Sequence, residues 1–73
     1  MISGAFTWET HRRKDGTLDV LSALMERAPP HVRVRNVVRA TEFIDEVDEL
    51  CALRSTEAAA IVLVTALNIV RGD

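Results

Sequence analysis

The side chains able to do chemistry in this 73-residue chain fall into two runs of opposite sign. Between Arg27 and Arg39 stand four arginines (Arg27, Arg33, Arg35 and Arg39) and His31, with no acid among them. Between Glu42 and Glu49 stand five acids, Glu42, Asp45, Glu46, Asp48 and Glu49, with no base. The formal charge of −2 conceals this order: residues 1–39 carry seven basic and four acidic groups, residues 40–73 two basic and seven acidic. A polyanion would therefore meet the middle of the chain rather than its whole surface. The acids, spread over about two helical turns with no histidine or glycine loop between them, read as a solvated helix face.

Other chemistries find little footing. His11 and His31 have no third ligand at a recognisable spacing, whereas a zinc site takes about four. No CxxC, HExxH, glycine-rich phosphate loop or serine elbow occurs. The chain is expected to be no enzyme and to carry neither metal nor cofactor. Cys51 falls on an apolar stripe and reads as a small buried hydrophobe. A lone thiol suits a reducing compartment, and no signal peptide or membrane span is evident, so a cytoplasmic protein is expected.

These residues need elements to position them. Residues 1–16 have no stable periodicity and read as a solvated, flexible arm carrying Arg12, Arg13 and Lys14 and ending in the Asp15-Gly16 turn, the alternative being that Phe6 and Trp8 pack down on the body. Leu18, Leu21, Leu24, Met25 and Ala28 recur at helical spacing behind Thr17 as N-cap, and Pro29-Pro30 ends that helix. His31-Val32-Arg33-Val34-Arg35 then alternates with period two, the pattern of a short strand with His31, Arg33 and Arg35 on one face. A continuous helix from Pro30 to Leu53 is the alternative, and on it Arg33 and Arg35 would diverge. Val37, Ala40, Ile44, Val47 and Cys51 form the stripe of the next helix, N-capped by Asn36 or Thr41. Ser55 caps a last helix from about Thr56 to Arg71, closed by Gly72.

That last helix is unusually apolar. Glu57, Thr65, Asn68 and Arg71 lie within an arc of about 120°, at 100° per residue, and nearly everything else is Ala, Ile, Val or Leu. It should be buried on two sides. A chain this short covers only roughly 60% of its unfolded surface, and a second copy is the expected cover.

Strand, helix, turn and apolar helix together resemble a ribbon-helix-helix domain. Pro30-His31-Val32-Arg33-Val34-Arg35 resembles the strand of Arc/MetJ/CopG-type repressors. Glu42 to Cys51 is similar to that family's first helix, and Arg54-Ser55-Thr56-Glu57-Ala58 to the turn into its second. The resemblance covers residues 30–72. It implies two copies pairing their strands into a ribbon that enters the DNA major groove, with His31, Arg33 and Arg35 facing the bases. An arginine bidentate to guanine is worth about 1–3 kcal/mol of discrimination. Backbone N–H groups at Ser55 and Thr56 would meet a phosphate.

The fold expected is therefore mainly α, a short strand plus two helices with an N-terminal helical extension, as a homodimer. Residues 1–29 form the arm and short helix, residues 30–73 the dimerisation domain. The expected interface between copies comprises Val32, Val34, Phe43, Ile44, Val47, Ile61, Val62, Val64 and Leu67. The function expected is a small dimeric regulator, repressor or antitoxin-like, that binds double-stranded DNA and offers residues 1–29 to a protein partner. The alternative is a non-enzymatic interaction module, an all-helical dimer or adaptor that binds no DNA.

Overall fold

A computed structural model describes residues 6–72; the part of the expected arm before Phe6 lies outside them. Three helices form the body: α1 (Val20–Arg27), α2 (Val34–Leu50) and α3 (Thr56–Arg71), preceded by one 3-10 turn at Trp8–His11. The protein is mainly α, and no strand forms among the described residues.

The expected strand at residues 31–35 is the main correction, and the ribbon-helix-helix layout goes with it. After Pro29-Pro30 the chain turns at His31, whose φ is +60°, and α2 begins at Val34 behind Arg33. A lone five-residue strand has no neighbour in this chain for its N–H and C=O groups. The chain instead enters α2 at once, with the Arg33 carbonyl accepting Asn36 and Val37 N–H at 3.0 and 3.2 Å, so the alternation of valines and arginines does not decide the segment. Val32 is left half-buried in the loop, packed against the core.

Caps explain the other boundaries. The α1 helix starts at Asp19, whose Oδ1 accepts Ser22 N–H at 3.1 Å. Thr17 is instead buried in the turn, donating to Asp15. Neither Asn36 nor Thr41 caps α2, because both lie inside it. Asn36 Nδ2 donates to Val70 O at 3.3 Å, satisfying one of the carbonyls that the end of α3 leaves free. This contact joins the start of α2 to the end of α3, so the two run antiparallel. In α3, Ser55 Oγ accepts Ala58 N–H at 3.3 Å, and Gly72 closes it at φ +87°, as the sequence predicts.

Between α2 and α3 runs the five-residue connection 51–55, extended at Cys51 and at Ser55. It exposes Cys51 and buries Leu53, whose carbonyl accepts Leu18 N–H at 2.7 Å. Cys51 is thus no core residue: as C-cap of α2 it has left the helical stripe. One core joins Leu18, Val20, Ala23 and Leu24 to Ala40 and Ile44 of α2 and to Ala59, Leu63, Ala66 and Val70 of α3. The boundary drawn at residue 30 falls in a loop, and both sides of it supply that core. Each fully buried Leu, Ile or Val contributes about 1.5–3 kcal/mol.

The arm is docked rather than solvated from Phe6 onward. Asp19 N–H donates to His11 O at 2.8 Å and Arg13 N–H to Thr17 O at 2.7 Å. A single antiparallel bridge pairs Arg12 with Leu18. Gly16 turns at φ +90°, and a Cβ there would lie 2.8 Å from Arg54 Nη1. That nitrogen donates to Asp15 O at 2.8 Å.

Candidate interaction surface

The outward side of α3 follows from what its inward side buries. Ala59, Leu63, Ala66 and Val70 face the core. The opposite face carries Glu57, Ile61, Val64, Thr65, Asn68 and Arg71, all exposed. The helix is buried on one side only, with Ala60 and Leu67 half-buried on one flank and Val62 and Ile69 on the other. Two branched aliphatics thus stand in water inside the polar arc: Ile61 is 69% and Val64 56% exposed. Thr65 Oγ1 donates to Ile61 O at 3.0 Å, so its hydroxyl proton is already engaged and its methyl is left to the surface.

The outward face of α2 is different in kind. Arg35, Arg39, Glu42, Glu46 and Glu49 are exposed and, at 100° per residue, fall within an arc of about 80°. Its basic residues stand at the N-terminal end and its acids at the C-terminal end, with no acid in the first turn and no base in the last. This order opposes the helix macrodipole. Among the described residues Arg33, Arg35 and Arg39 make no ion pair.

The residues expected to touch DNA are not brought together. His31, Arg33 and Arg35 are exposed at the start of α2, whereas Ser55 and Thr56 are exposed at the start of α3. With antiparallel helices these sets lie at opposite ends of a 17-residue α2, about 25 Å long. Arg33 and Arg35 also diverge, one before the helix and one in its first turn. Of the residues expected between copies, Ile44 is fully used by the chain's own core. Val32, Phe43, Val47, Val62 and Leu67 are half-buried against that core. Val34, Ile61 and Val64 are open to solvent.

One constellation had no sequence signal beyond two polar residues four apart on α1. His11 Nδ1 lies 2.7 Å from Ser22 Oγ and Nε2 lies 2.6 Å from Glu26 Oε1. Serine, histidine and glutamate in contact can be nucleophile, base and orienting acid. Here, however, Ser22 Oγ donates to Asp19 O at 3.0 Å, and Phe6 stacks on the imidazole with centroids 5.4 Å apart. Two surface hollows lie along α2 and beside Asn36 and Ile69, and none of the three residues lines either. The arrangement works as a clasp that holds the arm on α1.

No helix among the described residues is long and apolar enough to cross a membrane. No family model, curated protein or solved structure matches the chain.

Proposed function

We propose that the chain is a non-enzymatic protein–protein interaction module that works as an all-helical dimer in a reducing, cytoplasmic setting. The observation that carries this reading is the pair Ile61 and Val64, exposed on a helix whose opposite side is the hydrophobic core. Scattered single hydrophobics need no explanation. These two are a turn apart on one face, flanked by half-buried Ala60 and Leu67, and so make a continuous apolar strip. The free, exposed thiol of Cys51 is consistent with a reducing compartment. Light scattering on the purified chain tests the reading, and a dimer at micromolar concentration is expected.

A second reading, binding of duplex DNA or another polyanion, is favoured by one feature: Arg33, Arg35 and Arg39 are each exposed and unpaired among the described residues. Four exposed acids farther along α2 oppose it. Titration of duplex DNA at about 50 and 200 mM salt separates the two readings. Binding that weakens steeply with salt and disappears in Arg33→Ala/Arg35→Ala would put the polyanion first.

A further inference from the structure

We infer that the occupant of the exposed α3 face is a second copy of this chain, docked antiparallel with Val64 on the two-fold axis. This rests on the reading of the chain as an interaction module and specifies the partner and the seam.

Glu57, Ile61, Val64, Asn68 and Arg71 follow one another at spacings of four, three, four and three. That is the spacing of the a and d positions of a two-helix seam, here with Ile61 and Val64 apolar at the centre and polar or charged residues towards the ends, and all five are exposed. Val64 lies seven residues from both Glu57 and Arg71, about 10 Å along the axis in each direction. The face is therefore self-complementary under a two-fold rotation. Antiparallel docking sets Val64 against Val64, Ala60 against the partner's Leu67, and Glu57 against the partner's Arg71 at both ends. Parallel docking would oppose Glu57 to Glu57 and Arg71 to Arg71, which repel. Asn68 then sits at the edge of the seam beside Ile61 of the other copy, where its amide stays in water. The exposed valines of α2, Val34 and Val38, lie beside Arg35 and Arg39 at the basic end of that helix, where a second copy docked antiparallel about them would bring no acid of the same helix turn opposite the arginines.

Sedimentation equilibrium on the full chain, with circular dichroism as a folding control, tests this. Val64 is exposed and outside the core cluster, so Val64→Asp is expected to leave a folded monomer throughout the micromolar range. Glu57→Arg alone and Arg71→Glu alone are each expected to weaken the dimer roughly tenfold, since each places like charges at both ends. The double variant Glu57→Arg/Arg71→Glu restores opposite charges and is expected to return to the wild-type dissociation constant. In a Cys51→Ser background, Val64→Cys is expected to form a covalent dimer on mild oxidation, and Arg35→Cys on α2 is not. A wild-type dimer that survives Val64→Asp, or that does not cross-link at position 64, would place the seam elsewhere and overturn this inference while leaving the interaction reading intact. A wild-type chain that stays monomeric throughout the micromolar range would overturn both.

Discussion

His11 Nε2 stands 2.6 Å from Glu26 Oε1, and this pair fastens the N-terminal arm to the last turn of α1. The histidine side chain is only 8% exposed, the carboxylate half exposed. With Ser22 Oγ at the other ring nitrogen and Phe6 and Trp8 packed on the ring, the imidazole is the hub of the docked arm. Arg27 adds a cation over the Phe6 ring, 5.5 Å from its centroid.

His11→Ala is therefore expected to destabilise the chain by about 1–3 kcal/mol, the range for breaking a partly buried polar contact together with its packing. Trp8 emission should shift to the red as the indole is released. Glu26→Gln, which keeps an acceptor at an exposed position, should cost under about 1 kcal/mol. An unchanged melting temperature with unshifted emission in His11→Ala would show that the clasp does not hold the arm.

The turn before α1 makes a pH prediction. Thr17 donates both its hydroxyl and its backbone N–H to Asp15 Oδ1, at 2.6 and 2.9 Å. Those two bonds, chiefly the hydroxyl's, hold the Asp15 carboxyl below its ordinary value. Partial desolvation opposes them, and the Arg54 and Arg13 charges assist. The fold thus favours ionised Asp15. Its contribution is fully present above the ordinary carboxylate range and is lost as pH falls through that range to the lowered folded value. In Thr17→Val the Asp15 pKa is expected to rise toward the ordinary value, read by NMR titration of the carboxyl carbon. No movement would mean that the hydroxyl is not the cause.

Arg33 occupies the N-cap of α2 without making a side-chain cap bond. A cation there also faces the positive end of the helix dipole. Arg33→Asp should supply both the cap and the favourable charge, raising stability by about 1 kcal/mol. For a domain of this size that is a rise in melting temperature of about 4–8 °C. A fall instead would reveal that the guanidinium has a stabilising contact of its own.

What could be read from the residues was whatever depends on neighbours in the chain. Ser55 caps the N–H three residues on, Gly72 alone takes the left-handed close of α3 without strain, and Pro29-Pro30 follows the end of α1. Such signals are complete within a few residues. Period-two alternation at residues 31–35 is necessary for a strand but does not provide one with a neighbour. Arg33 gives no capping signal for the start of α2. The docking of the arm is hidden for a different reason. Its bonds join His11 to Ser22 and Glu26, and Asp15 to Arg54, groups 11 to 39 positions apart. Nothing in local spacing announces that they meet.

The apolar excess of α3 was determined by the sequence, since hydropathy and helical periodicity are properties of the residues alone. Which side of that helix would be left uncovered was decided only by tertiary structure. Packing α1 and α2 on it buried Ala59, Leu63, Ala66 and Val70 and left Ile61 and Val64 in water. A wide apolar face can present any of several arcs to its neighbours. The choice among them is made by how the other two helices fit the available volume, and that fit belongs to the whole chain at once.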